Sequence, residues 1–513
     1  MKMIKNTVIT SFSIALLGAS SVFAQTLADA KKAIDAEQYL KASTILKSLT
    51  ATQPASAENY FHLGNLYLTN EYPDSAKTTF TTGISKDPKF ALNYVGLGAV
   101  ELSANNTTGA KTNFDKAIAS SAKKDNDAYI FAAKAYIAAP NPNYAAAIPY
   151  LEKAIAIDAK DAEAYLALGD AYRGQNKNSE AYGAYRTASD LNKSLLRPQV
   201  ELAVLTKRAM AWQESIDAFN TILKANATYG PAYRELADTY VRWANKSSEI
   251  NDYRVKIKQG LDNYIKYMDL TDRSVDSRVR YAGFLFLSKD FKALEAEAQN
   301  LAKVPNINLL VYRYLGYSNF ENGNYAGSMQ ALNTFMTKAV ESRIIPLDYV
   351  YLAKVQLKGG DISSALANLN KAKVLDVARN LNTPVDGLGA IARELLTAKK
   401  YELAAQLYDF TQAGPSPVTL DFYYQGNAYL YDYQTKDLAK ANPSKELLVK
   451  ADSAYSRLLQ RAPTTEAAWL SRVKVAKLLD TDYSKALATE PYLKFIDIVT
   501  VTKPDLAEKI KLV

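Results

Sequence analysis

The chain has 513 residues, a length that at about 150 per domain would hold some three ordinary domains. It contains no Cys and one His, His62, which excludes disulfide frameworks, thiol nucleophiles, Cys- or His-based metal clusters and nearly every His-dependent catalytic dyad. The formal charge of +9 is too mild for a nucleic-acid-binding surface, and among ordinary proportions of apolar and charged residues only the 36 Tyr stand out.

Lys2 and Lys5 open the chain with positive charge, Val8 to Leu17 is apolar, and Val22-Phe23-Ala24 sets short residues before a cut. That order predicts a secretory leader over residues 1–24, cleaved between Ala24 and Gln25. The competing reading, a membrane anchor, is weakened by the Ser and Thr scattered from Asn6 to Thr26. Beyond residue 25 no stretch predicts a spanning helix. Export without any Cys predicts a bacterial envelope protein, in the periplasm or secreted.

From there a period of 34 residues runs along the chain. Pro54 recurs as Pro88, Ala42 as Ala76 and Ala110, Gly64 as Gly98, and Phe80 as Phe114. Later, Ala181 and Ser215, Tyr185 and Phe219, and Leu168 and Leu202 keep the same spacing. Apolar residues three and four apart make one helix, a Gly or Asn punctuates it, and a second helix returns. Small residues such as Gly64, Ala76, Gly169 and Ala181 let two backbones approach, and Tyr60, Phe80, Tyr165 and Tyr185 fill the space beside them.

The segment from Asn59 to Tyr67, with Ala76, Phe80 and Pro88, resembles the tetratricopeptide repeat, as do Ala164 to Tyr172 with Ala181 and Tyr185, and Val311 to Tyr317 with Tyr325 and Leu332. The resemblance implies an all-α, right-handed superhelical solenoid of antiparallel helix pairs. About thirteen units are expected, beginning near residues 23, 57, 91, 126, 162, 196, 230, 275, 309, 346, 385, 419 and 466. The array is regular over 25–272 and degenerate with insertions over 273–490. Residues 491–513 read as a capping region, with a short closing helix from Pro504. Extra residues are expected in the fourth unit around Pro140 and Pro142, in the seventh between Tyr240 and Gly260, and in the twelfth between Tyr429 and Ala451. Pro149 predicts a bend in a second helix, not a break. Thr383-Pro384 and Gly414 to Pro417 read as loosened joints.

About half of the Tyr fall on packing positions of this frame, where a ring packs while its hydroxyl reaches the solvent edge. Tyr314, Tyr317, Tyr423, Tyr424 and Tyr431 do not, and are the candidates for stacking on a sugar. His62 has no nucleophile in its motif, Glu295 and Glu297 point apart on one helix, and no phosphate loop is present, so the chain reads as non-catalytic and without cofactor or metal.

The resemblance implies a protein–protein interaction scaffold that holds a protein or peptide segment in a concave groove lined by the first helices. The family's groove positions fall here on Asp170, Arg173, Lys207, Arg208, Arg234, Asp238, Arg242 and Arg313, with Phe286, Tyr317 and Phe320 nearby. A basic stripe interleaved with aromatics suits an acidic segment. The competing reading of the same residues is a solvated face whose Arg and Asp neutralise one another. A carbohydrate- or peptidoglycan-binding protein using the remaining aromatics is the alternative function. Partner identity and oligomeric state are not legible in the sequence.

Overall fold

A computed structural model describes residues 25–379, 387–412 and 417–503. The expected leader, the joints at Thr383-Pro384 and Gly414 to Ser416, and the closing helix from Pro504 lie outside the described residues. Among the described residues there are 26 α-helices and no strand. The chain divides into two compact units between Ser288 and Lys289, later than the fading of the motif at residue 272.

The first unit contains α1 (Leu27–Asp35), α2 (Tyr39–Thr52), α3 (Ala57–Thr69), α4 (Pro73–Lys86), α5 (Leu92–Ser103), α6 (Thr107–Ser120), α7 (Asp127–Ala138) and α8 (Tyr144–Ile157). It continues through α9 (Ala162–Gly174), α10 (Asn178–Leu191), α11 (Leu196–Arg208), α12 (Trp212–Ala225), α13 (Gly230–Ala244), α14 (Ile250–Leu270) and α15 (Val275–Leu287). The second holds α16 (Phe291–Leu301), α17 (Leu310–Glu321), α18 (Tyr325–Lys338), α19 (Pro346–Lys358), α20 (Ile362–Arg379) and α21 (Leu388–Thr397). It ends with α22 (Tyr401–Gln412), α23 (Thr419–Leu438), α24 (Glu446–Arg461), α25 (Glu466–Leu479) and α26 (Thr489–Thr502). Odd-numbered helices are the first helices of the repeat units. Each begins within four residues of its expected start, including those of the degenerate half.

Within each unit the helices stack as a solenoid. In the first, a second helix packs on its own first helix and on the next one, and α3, α5, α7 and α9 also touch in sequence. The small positions are closed completely: Ala42, Ala76, Ala110, Ala147 and Ala181 have no exposed surface. Where Ser replaces Ala, its hydroxyl finds the facing helix. Ser215 donates to the Ala203 carbonyl at 2.9 Å, and Ser328 to that of Gly316 at 2.7 Å. A buried hydroxyl with a partner is tolerated where one without would be costly.

Turns between paired helices are short because one residue takes the left-handed conformation. Asn105, Asn176, Gly323 and Gly360 do so, but so do Glu37, Glu71, Met210 and Lys289. The second helices α6, α8 and α18 are then capped by Asn106, Asn143 and Asn324, whose side chains accept from a backbone N–H in the first turn. The seventh-unit insertion is not a loop. It extends α14 to 21 residues, and the twelfth-unit insertion extends α23 to 20. Pro149 lies inside α8, which runs unbroken across it.

Candidate interaction surface

In the first unit ion pairs join α1 to α3 and each of α7, α9 and α11 to the next odd-numbered helix, linking one repeat to the next. Lys31 on α1 meets Glu58 on α3 at 3.0 Å, and Lys134 on α7 meets Glu163 on α9 at 2.5 Å. From α9 to α11, Asp170 pairs with Arg197 at 2.7 Å and Arg173 with Glu201 at 3.4 Å. From α11 to α13, Lys207 sits between Glu235 at 2.6 Å and Asp238 at 2.7 Å. The series then closes on itself, because Arg234 on α13 reaches Glu37, in the turn after α1, at 3.0 Å.

Burial and pairing pull these carboxyls in opposite directions. His62 and Lys31 hold Glu58 down at about 2. Lys134 lowers Glu163. Burial raises Glu201 in spite of Arg173, and raises Asp35 although the Tyr229 hydroxyl bonds it. Between α3 and α7 the contact is aromatic instead, with Phe61 edge-on to Phe131 at 4.9 Å between centroids.

The expected site residues are therefore placed as follows. Arg173, Lys207, Arg234, Asp238 and Arg242 come together on the first-helix face of the first unit. Lys207 is 4% exposed, and Arg242 pairs with Asp238 at 2.7 Å. Arg208 is exposed at the end of α11. As a run of uncompensated cations the basic stripe does not exist here: each of these cations except Arg208 has a carboxylate against it.

Arg313, Tyr317 and Phe320 belong to the second unit. Arg313 forms a fork on Asp348, Nε to Oδ1 at 2.7 Å and Nη2 to Oδ2 at 2.8 Å, and donates to the Arg343 carbonyl. Tyr317 is 1% exposed, donates to Asp348 at 2.7 Å and stacks on Tyr351 at 4.0 Å. Phe320 packs against Tyr325 and Tyr351. Arg313 and Tyr317 are core here, not groove.

Core tyrosines follow the same rule as Tyr317. Tyr185 donates to Asp170 at 2.8 Å, Tyr455 to Asn427 at 2.7 Å and Tyr429 to Asp409. The Tyr185 and Tyr455 hydroxyls end on buried acceptors, whereas that of Tyr429 ends on an exposed carboxylate at the solvent edge. This explains why Tyr fills positions that Phe takes in other repeats. Glu201 and Glu235, the acids that neutralise the stripe, are 34 residues apart and so visible in the period. Glu37 is not, being 197 positions from Arg234 in the chain.

The period, the small-against-large packing and the helix pairs agree with a direct family match, in which residues 57–90 match the tetratricopeptide repeat. At residues 57–90 the chain carries a tetratricopeptide repeat. The C-terminal part of a TPR repeat-containing protein from Cytophaga hutchinsonii is similar at 23% identity, with a TM-score of 0.32, over 44% of this chain and 80% of that one. A tetratricopeptide repeat protein from Parabacteroides merdae is similar at 16% identity and a TM-score of 0.34, over 49% and 93% of the two chains. Pseudomonas aeruginosa pilF is similar at 15% identity and a TM-score of 0.29, over 52% and 97%. No curated protein matches the chain. The tetratricopeptide repeat is a fold of protein-interaction scaffolds. Among the described residues no helix is long and apolar enough to cross a membrane.

Proposed function

We propose that this chain is a non-catalytic scaffold of the bacterial cell envelope that holds a protein or peptide segment along the first-helix face of its first unit. The observation that carries the reading is the row of charged side chains which that face presents on successive repeats, spaced by the solenoid itself. Such a row matches an extended segment residue by residue, and its charges select the partner and speed its approach more than they tighten it. Arg208 and Arg242, both exposed, are the cations placed to meet an acidic segment.

Support for the envelope is the leader pattern together with the start of α1. Thr26 and Asp29 form a reciprocal cap on that helix, and a cut after Ala24 leaves the cap whole. The test is crosslinked capture from an envelope fraction. Wild type retains a discrete protein, and Arg208→Glu combined with Arg242→Glu loses it at unchanged helicity. Equal capture by that double variant, with no dependence on salt, sinks the reading.

A further inference from the structure

The contact that closes the first unit differs from every other rung. The others join consecutive repeats, whereas this one joins the turn of the first helix pair to α13 and α14. Glu37 holds Arg234 Nη2 through Oε1 at 3.0 Å and accepts from the Tyr267 hydroxyl through Oε2 at 2.9 Å. Beside it, Gln38 Nε2 donates to the Leu270 carbonyl at 3.1 Å, and the Leu40 N–H donates to Asp272. Ala36 is the apolar residue of the turn that packs against the cluster of Val200, Phe219 and Leu236. The contact is thus largely polar.

The first pair does not need this contact to stay attached. Ala30, Ala33, Ala42, Ile45, Leu46 and Leu49 form one apolar cluster with Leu63 and Leu66 of α3. The turn itself is held at some cost, because Glu37 takes φ of 60° with a full side chain. Nor does Glu37 use the Arg234 fork fully, since the Nε of Arg234 is buried without a hydrogen-bond partner. A carboxylate approaching side-on would engage Nε and Nη2 together, the stronger geometry for an Arg.

We propose that the Glu37 turn is a clasp, an acidic segment of the chain's own that occupies in cis the Arg234–Tyr267 site where an acidic segment of the partner docks. The proposal rests on the scaffold reading and names the regulation of its site. The partner displaces the turn, and its apparent affinity is lowered by the fraction of molecules in which the clasp is closed. Removing the cis carboxylate therefore tightens binding of a trans one, which a purely structural contact would not do.

The absence of Cys makes the test direct. Thr44→Cys and Lys266→Cys, both at exposed positions, carry spin labels on the two sides of the clasp, and hexaglutamate peptide is the probe. The expected result is one short distance in the unliganded chain and a second, longer one as hexaglutamate is added. Glu37→Gln populates the longer distance without peptide and tightens hexaglutamate at least threefold, and Arg234→Gln abolishes binding. A single unchanged distance in Glu37→Gln, or hexaglutamate affinity that is absent, unchanged or weaker, overturns the clasp. Should Glu37→Gln lose helicity, Gln38→Ala removes only the bond to the Leu270 carbonyl, leaves Arg234 and Tyr267 in place and answers the same question. The distance is read whether or not a partner protein is in hand, so failure of the clasp and failure of the scaffold reading remain distinguishable.

Discussion

Gly64 on α3 lies so close to Phe80 on α4 that a Cβ at residue 64 would sit 2.3 Å from the Phe80 ring. The same ring lies 2.3 Å from where a Cβ of Gly96 on α5 would be. One Phe therefore fills the space left by two glycines on successive first helices, and a ring fills the space beside a single glycine between Tyr185 and Gly169 and between Tyr455 and Gly426. Gly64→Leu is expected to cost about 1–3 kcal/mol by overpacking. Contacts in a solenoid reach mainly to neighbouring repeats, so hydrogen exchange should accelerate in α3 to α6 and stay unchanged in α10 to α12. Uniform acceleration across the first unit would contradict nearest-neighbour stability.

In the second unit the Arg313–Asp348 fork predicts instability, not a binding defect. Arg313→Met leaves the Asp348 carboxylate, which is 0% exposed, without its counter-charge. Breaking one side of a buried pair costs about 3–5 kcal/mol, whereas replacing both sides by apolar residues is often neutral. The urea midpoint of Arg313→Met should fall markedly, and Arg313→Met with Asp348→Leu should recover most of the loss. An unchanged midpoint in the single variant would return Arg313 to the candidates for a partner site.

The helix frame was legible because period and packing are local. The thirteen first helices start within four residues of where the repeat frame with its insertions puts them, even where the motif has lost its Gly and Pro. Ser215 also reads correctly as a small position in register with Ala181, although only the structure shows what its hydroxyl does. The candidate site was less legible. The groove positions register Lys207 together with Asp238, but they miss Glu235, which also faces Lys207, and Glu37, which faces Arg234 from across the whole unit. Periodicity couples neighbours; it carries no signal for a contact between the first repeat and the seventh. Tyr317 was misplaced for a related reason: the groove side of α17 is covered by Tyr351 and Asp348 of the following repeat.

His62 gives a pH prediction that a single resonance can check. It faces Glu58, Lys31 and Lys134; burial lowers its pKa, with Glu58 working against that and the two Lys adding to it. Because the folded value lies below the ordinary 6.5, the fold prefers neutral imidazole. The resulting stability is complete above that value and is lost as pH falls through the folded pKa. Glu58, held at about 2, loses its own contribution in the same direction at lower pH. With one His in the chain, the imidazole carbon-bound proton titrates as an isolated signal, expected to have a midpoint below 6.5. A midpoint above 6.5 would mean that Glu58 outweighs burial.

The proposed protein segment lies on the first-helix face of the first unit. Site-specific photocrosslinking in cells tests it most directly, with the crosslinker placed in turn at Arg208, at Arg242 and at Tyr182, an exposed residue of the second helix α10. A discrete, protease-sensitive protein adduct is expected from residues 208 and 242 and none from residue 182. Adducts from residue 182 alone, or adducts at 208 and 242 that resist protease and yield to a cell-wall hydrolase, would contradict it.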